Sequence, residues 1–146
     1  MCFQDNDTAY NCSEQHYQQQ KALFFIDTKT ADSILQCTEP EQMKALSHKI
    51  TGLDEGKWRK HARDAMKKSC HLKFSQSMHL KKMLMNSRGE IVEANRHDKF
   101  FSCGLALSDE RTLNKSNWEG TNILGQILME LREHHNQESV NKKVIE

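Results

Sequence analysis

Residues 13–24 read SEQHYQQQKALF, a stretch that predicts a helix. Ser13 is a residue type that caps helix N-termini, and Glu14 supplies the acidic charge that favours a first turn. Spacings of i, i+4 and i+7 place Glu14, Gln18 and Lys21 on one stripe of this helix. Such a stripe is either solvated surface charge or an acid/base group beside an amine nucleophile. The stretch alone does not decide between the two.

The next sixty residues predict further helices. Apolar side chains recur at helical spacing, and each segment starts or stops at a recognisable signal. The first predicted helix is short and covers residues 30–37, and the second opens with a capping box at Thr38-Glu39-Pro40-Glu41 and ends at Gly52. The third is capped by Asp54 and carries Trp58, Ala62 and Met66. The fourth turns Phe74, Met78 and Leu84 inward.

The last third of the chain mixes a strand, a loop and a final helix. Ile91–Ala94 predicts a short strand, and residues 95–121 a loop with short extended pieces at Phe100–Phe101 and around Leu105. A strongly apolar helix opens after Asn122. The polar end from His134 to Glu146 is expected to fray, and residues 136–146 form a polar tail outside the domain. We therefore expect one compact, mainly α domain with a few short strands over residues 1–135.

Composition excludes several classes of protein. The 146 residues suit a single domain, and 21 Lys and Arg balance 20 Asp and Glu, so no basic field favours non-specific wrapping of nucleic acid. No apolar run approaches the roughly 20 residues of a membrane span, and nothing resembles a signal peptide. The five cysteines show no zinc-site spacing and are expected as reduced thiols in a cytoplasmic protein.

Several residues could carry chemistry, and each has a plainer explanation. Glu14 and Lys21 are also ordinary surface charges, and Asp98 lies in a polar cluster that a surface loop explains equally well. Trp58 favours packing over ligand binding, whereas Trp118 lies in a loop with Gly and Asn and leaves both open. The glycines form neither a dinucleotide-binding nor a Walker motif.

Taken in order, the rarer residues form five blocks. The blocks are Ser13-Glu14 with Gln18, Gln20, Lys21 and Ala22; Trp58, Arg63 and Met66; Lys73-Phe74 with Gln76 and Leu80; Ile91-Val92-Glu93-Ala94 with Asp98 and Gly104; and Trp118-x-Gly120-x-Asn122-x-Leu124-Gly125 with Leu128-Met129 and Arg132. This pattern resembles the NADAR family of YbiA-like proteins over about residues 3–132. The resemblance implies a mainly α-helical YbiA-like domain with N-glycosidase activity and no metal or redox cofactor.

Family substrates carry a ribosyl C–N bond, either in phosphoribosylamino-pyrimidine intermediates of riboflavin biosynthesis or in ADP-ribose attached to guanine, including ADP-ribosylated nucleic acid. Cleavage builds oxocarbenium character and the departing nitrogen needs a proton, so carboxyl groups suit the reaction, and a desolvated lysine can form a Schiff base. The resemblance implies Glu14, Lys21 and Asp98 as catalytic residues. It implies as substrate-binding residues Tyr17, Gln18, Arg63, Lys73, Glu93, Phe101, Trp118 and Asn122. Arg63, Lys73 and Arg132 are each a phosphate partner or, equally, a structural ion pair.

The chain departs from the family pattern in three places. His16 stands where an aromatic residue is usual, and Phe101-Ser102 replaces the usual Trp-Gly, so Ser102 adds a side chain where backbone would approach a ligand. Family members normally begin with an extra strand and a Ser-Asn-Phe-like segment before the position of Phe3, and its absence here predicts a truncated gene product, a fragment, or a diverged member with altered activity. Two other functions stay open: a non-catalytic module that binds ADP-ribose or a related nucleotide, and a helical protein-interaction domain.

Overall fold

A computed structural model of the chain describes residues 2–145. Helices dominate it, as the sequence predicts. The strands are β1 (Phe3–Asp5) and β2 (Thr8–Tyr10); the α-helices are α1 (Ser13–Phe24), α2 (Thr28–Leu35), α3 (Pro40–Ser47), α4 (Glu55–Ser75), α5 (Met78–Asn86) and α6 (Ile123–Ile145), with short 3-10 helices at Glu110–Leu113 and Lys115–Asn117. The chain divides into two compact units, the first ending at Ser77 and the second beginning at Met78.

The first unit is built around α1, which packs against α2, α3 and α4. Its apolar core is small, and consists of Ala22, Ala31, Ile34, Met43 and Ile50. Asp27 joins the chain entering α2 to the turn after α3, because its carboxylate accepts hydrogen bonds from the Thr30 amide at 3.0 Å and the Thr51 amide at 2.9 Å. The Thr30 hydroxyl also donates to this carboxylate. Together these hydrogen bonds lower the pKa of Asp27 to about 2, and the bond from the Thr30 hydroxyl is the largest cause.

A two-stranded antiparallel hairpin precedes α1 and was not predicted from the sequence. Phe3 pairs with Tyr10 across it, and their rings stack at 5.6 Å. Gln76, the residue after α4, pairs with the outer side of β1, since its amide accepts from the Gln4 backbone nitrogen at 2.8 Å and donates to the Gln4 carbonyl at 2.6 Å. Strands of three residues are too short to leave an alternating pattern, so hydrophobic periodicity does not reveal them.

The helix ends differ from the predictions in detail. Cys12 is the N-cap of α1 and its side chain makes no capping hydrogen bond, so Ser13 is the first helical residue rather than the cap. Glu39 likewise caps α3 without the predicted capping box, while Pro40 occupies the first turn as predicted. The cap at Asp54 is confirmed, because its carboxylate accepts from the Lys57 amide at 3.0 Å.

The second unit contains α5, a long loop and α6. Leu84 is buried as predicted, but the prediction for Met78 was wrong, since 68% of that side chain is exposed at the start of α5. Phe74 belongs to α4 rather than to this helix. Of the tail predicted to fray, the residues up to Ile145 belong to α6, and residue 146 lies outside the described residues. No helix within residues 2–145 is both long and apolar enough to cross a membrane.

The predicted strand at Ile91–Ala94 was wrong. Residues 91–94 are irregular, because the Asn122 side chain takes up the backbone groups that a second strand would have paired. Its amide nitrogen donates to the Ile91 carbonyl at 2.9 Å and its amide oxygen accepts from the Glu93 nitrogen at 2.9 Å. The extended pieces predicted at residues 100–101 and around 105 are bends and irregular loop. The carbonyls of Phe100 and Phe101 accept from the backbone nitrogens of Ile123 and Leu124 at 3.2 and 3.0 Å instead of pairing with a strand.

Candidate active site

Helix α1 turns an unusual number of polar side chains inward. Five of them are at least nine-tenths buried: Gln15, His16, Gln18, Gln19 and Lys21. Buried polar groups are normally hydrogen-bonded, because an unpaired group loses its contact with water and gains nothing. The hydrogen-bond partners of each side chain therefore distinguish the residues that stabilise the fold from those with a polar atom left to bind a ligand.

Gln15, His16 and Gln19 serve the fold. The Gln15 amide nitrogen donates to the carbonyls of Ile34, Leu35 and Cys37 at 3.1–3.2 Å and so closes the end of α2. The Gln19 amide oxygen accepts a short hydrogen bond from the Tyr10 hydroxyl, which fastens the hairpin to α1. These side chains explain why a polar helix can occupy the centre of the unit.

His16, atypical for the resemblance, bridges the hairpin and α4. Its Nδ1 lies 2.6 Å from the Ser69 hydroxyl, and its Nε2 lies 2.9 Å from an Asp5 carboxylate oxygen. Lys68 reaches the same carboxylate at 2.9 Å. Burial lowers the pKa of His16, while the bonds from His16 and Lys68 lower the pKa of Asp5. The imidazole thus connects α1 to β1 and to α4.

Glu14, Gln18 and Lys21 share one stripe, as predicted. The Gln18 amide nitrogen donates to a Glu14 carboxylate oxygen at 2.8 Å. The other end of that amide, Gln18 Oε1, is buried and has no hydrogen-bond partner among residues 2–145. Burying an acceptor without a donor destabilises by about 1–3 kcal/mol, which a bound donor would recover. Gln18 therefore has an acceptor left for a ligand.

Lys21 is not the solvated surface charge that composition allowed. Only 6% of the residue is exposed, and its ammonium nitrogen lies 3.1 Å from a carboxylate oxygen of Glu55, the first residue of α4. The Glu55 side chain is 58% exposed, so the pair joins a buried amine to an accessible acid. Glu55 was missed from the sequence, because no local pattern connects two residues 34 positions apart.

Tyr17 and Trp58 form a packed pair beside this stripe. The Trp58 indole nitrogen donates to the Tyr17 hydroxyl at 2.9 Å, and burial raises the pKa of that phenol well above its ordinary value of 10. Trp58 is 4% exposed and also contacts the ring of Phe24, which agrees with the packing role favoured for it. Arg63 and Lys73 are half-buried along α4.

In the second unit, Asp98 organises a turn. One of its carboxylate oxygens accepts from the backbone nitrogens of Phe100 at 2.9 Å and Phe101 at 2.8 Å. Ser102 is completely buried, and its hydroxyl donates to the carbonyls of Asn95 and Asp98. The serine that departs from the family pattern therefore braces this loop from inside, and its side chain is turned away from solvent.

The block from Trp118 to Gly125 is explained mainly by close packing of backbone. A Cβ on Gly120 would lie 2.4 Å from the Ser102 carbonyl oxygen, and one on Gly125 would lie 2.0 Å from that of Ile91. Asn122 is 1% exposed, and its amide holds residues 91 and 93. The structure thus gives Asn122 a structural role, and its binding of substrate stays a prediction.

The other predicted residues of the second unit lie around the same loop. Glu93 is exposed, while Phe101 and Trp118 are half-buried. The Trp118 indole nitrogen donates to the Thr112 carbonyl at 2.9 Å, and the Lys115 ammonium lies 5.7 Å from its ring centre. Arg132 donates to Ser87 at 3.1 Å and to the Gly89 carbonyl at 2.8 Å, so it fastens α6 to the turn after α5.

The predicted site residues are thus divided between the units. Glu14, Tyr17, Gln18 and Lys21 lie on α1 with Arg63 and Lys73 on α4; Glu93, Asp98, Phe101, Trp118 and Asn122 lie in the second unit. Over residues 2–145, no three His, Cys, Asp or Glu side chains group in a way that could hold a metal ion.

The central helix of the first unit thus buries a lysine and an amide oxygen without a hydrogen-bond partner among the described residues. Sequence comparison assigns the chain to a known class: the NADAR domain family matches residues 2–135, and the chain belongs to this family. The resemblance drawn from the five blocks is thereby confirmed.

Three relatives are similar over most of the chain. Protein irg-1 of Caenorhabditis elegans is 36% identical over 127 residues, covering 85% of this chain and 60% of that protein. N-glycosidase R617 of Acanthamoeba polyphaga mimivirus is 33% identical over 129 residues, covering 88% and 76%. Riboflavin biosynthesis protein PYRR of Zea mays is 30% identical over 127 residues, covering 81% of this chain but 19% of that protein.

The fold also has a solved counterpart. The NMR structure of the Escherichia coli protein YbiA matches with a TM-score of 0.76, covering 96% of this chain and 76% of that one at 23% identity. The mainly α, YbiA-like fold expected from the sequence is therefore confirmed.

Proposed function

We propose that the protein is an N-glycosidase that hydrolyses a ribosyl C–N bond. Membership of the NADAR family and similarity to a protein named N-glycosidase support the reaction class. The observation that carries the proposal is the burial of the Lys21 amine at 6% exposure, with Glu55 at 3.1 Å. A lysine is seldom buried for structure alone, because removing its charge from water is costly, and a desolvated amine is a reactive one.

Lys21 can serve the reaction in two ways. As a nucleophile, its amine attacks the anomeric carbon and forms a Schiff base with the opened sugar. As a charge, it anchors the substrate electrostatically. We favour the first, because the neighbouring groups on α1 complement it. Glu14, which lies one helical turn from Gln18 and accepts a hydrogen bond from it at 2.8 Å, is our proposed acid for protonating a departing nitrogen. The unpaired Gln18 oxygen can accept from a ribose hydroxyl.

The remaining assignments follow the family resemblance. Asp98 would share in proton transfer, Phe101 and Trp118 would stack on a base or ribose, and Arg63 and Lys73 would contact phosphate. Glu93, Tyr17 and Asn122 complete the proposed binding set. For Asp98, one carboxylate oxygen is already engaged with two backbone amides, so an Asp98→Asn change tests its charge with that turn largely preserved.

We propose two substrate classes, ADP-ribosyl-guanine, free or in nucleic acid, and phosphoribosylamino-pyrimidines of riboflavin synthesis. The maize relative named for riboflavin biosynthesis supports the second class. The test is incubation of the protein with each substrate, followed by chromatography for released base and sugar. Release from one class identifies the substrate.

A non-catalytic module is the second candidate. The same buried amine and unpaired amide oxygen could bind ADP-ribose without turnover. Calorimetry with ADP-ribose separates the candidates: binding without release of base from either substrate selects the module. Absence of both binding and release would leave the helical protein-interaction function.

A further inference from the structure

We propose that Glu55 is the proton carrier for Lys21, a role that rests on the proposed N-glycosidase activity. Its carboxylate oxygen lies 3.1 Å from the Lys21 nitrogen, within hydrogen-bond reach. The two side chains are 58% and 8% exposed, so Glu55 connects a buried nitrogen to solvent. A pair that only neutralised a buried charge would be better sheltered, since an exposed carboxylate stabilises a partner weakly.

The chemistry requires such a carrier. Lys21 holds three protons as the ammonium and one in the protonated Schiff base, so two protons must leave its nitrogen. The amine attacks the anomeric carbon while the C–N bond of the substrate breaks and its electron pair stays with the departing nitrogen, which takes a proton from an acid. The ring C–O bond then breaks and its electron pair goes to the ring oxygen.

The two protons balance these steps. One reaches the ring oxygen as the sugar opens, and the other restores the acid that protonated the departing nitrogen. Water then adds to the Schiff base, and Lys21 leaves as the ammonium with the sugar as free aldehyde. Among the contacts that the structure gives the Lys21 nitrogen, the Glu55 carboxylate is the group able to receive these protons. Removing a positioned proton-transfer group typically slows a reaction by 10²–10⁴-fold.

The test compares Glu55→Gln, Glu55→Asp and the wild type, with Glu41→Gln, an exposed glutamate on α3, as the control. Single-turnover release of base should slow by about 10²-fold or more in Glu55→Gln with little change in KM. Glu55→Asp should restore part of the rate of base release, and Glu41→Gln should release base at the wild-type rate. Wild-type release by Glu55→Gln would overturn the role.

A second measurement does not depend on glycosidase activity. Ribose 5-phosphate, whose open form is an aldehyde, is incubated with each protein and sodium cyanoborohydride, and mass spectrometry follows the adduct on Lys21. A proton carrier predicts slower labelling of Lys21 in Glu55→Gln than in wild type. Unchanged or faster labelling would show that Glu55 is only a counterion and overturn the proposal. If the wild type releases no base, the proposed function fails while this labelling still decides the role of Glu55.

Discussion

The side-chain amide of Asn122 stands in for a β-strand partner to Glu93. Its oxygen accepts from the Glu93 backbone nitrogen at 2.9 Å, while its nitrogen donates to the Ile91 carbonyl at 2.9 Å. A single buried side chain thereby positions the segment that carries a predicted site residue.

Asn122→Ala should destabilise the protein by about 1–3 kcal/mol, because two partly buried backbone hydrogen bonds are lost. The φ of Asn122 is 51°, a conformation that alanine adopts less readily, which adds to the loss. Urea unfolding monitored by tryptophan fluorescence measures the change. Asn86→Ala, an exposed asparagine at the end of α5, is the control and should be within about 0.5 kcal/mol of wild type. Equal stabilities of the two variants would contradict the structural role.

Gly125→Ala should be more damaging than Gly89→Ala. A Cβ at position 125 would lie 2.0 Å from the Ile91 carbonyl oxygen, whereas one at position 89 meets nothing within 4 Å. Gly89 has a φ of +74°, so its replacement carries only the left-handed strain of about 1–2 kcal/mol. Thermal unfolding of both variants gives the comparison. A Gly125→Ala protein as stable as wild type would show that α6 does not approach this backbone so closely.

Asp27 gives the first unit a component of acid sensitivity. Hydrogen bonds from Thr30, and from Thr51, lower its pKa from 3.8 to about 2. Since the folded pKa is depressed, the stabilisation is fully present above pH 3.8 and is lost as pH falls toward 2. The free energy of unfolding of Asp27→Asn should therefore fall less steeply than that of wild type between pH 4 and pH 2. Parallel curves would mean that Asp27 does not hold these turns as a carboxylate.

His16 should produce a second, separate pH dependence. Burial lowers its pKa from the ordinary 6.5, against the opposing effect of Asp5, and Lys68 acts in the same direction as burial. His16 therefore binds a proton more readily in the unfolded chain than in the folded protein. Its contribution to stability is present above pH 6.5 and declines as pH drops below that value. His16→Phe should lack this decline, while His48→Gln, at an exposed histidine, should keep it. A decline of equal size in His16→Phe would contradict this account.

Local signals in the sequence predicted much of the helical framework. Periodicity and the Asp54 cap placed α1 and α4, and the i, i+4 contact between Glu14 and Gln18 follows from helix geometry alone. The hairpin escaped because its strands have three residues each. Ile91-Val92 favours a strand by residue type, but a side chain from position 122 overrides that preference.

The candidate site was less accessible to sequence reasoning. Charge and amide residues on α1 could be grouped on one stripe, but their burial depends on which helices surround them. The burial of Lys21 and its contact with Glu55 arise from packing α1 against α4, which no local pattern encodes. The catalytic and binding roles assigned from the family resemblance stay predictions, and substitutions at each residue test them.

The most direct measurement is release of base by purified Lys21→Ala, compared with wild type and with Lys29→Ala, an exposed lysine on α2. Each protein is given ADP-ribosyl-guanine and a phosphoribosylamino-pyrimidine, and circular dichroism confirms that the variants are folded. The account predicts that wild type and Lys29→Ala release base from one of these substrates, and that folded Lys21→Ala releases none above the uncatalysed rate. Wild-type turnover by Lys21→Ala would contradict it.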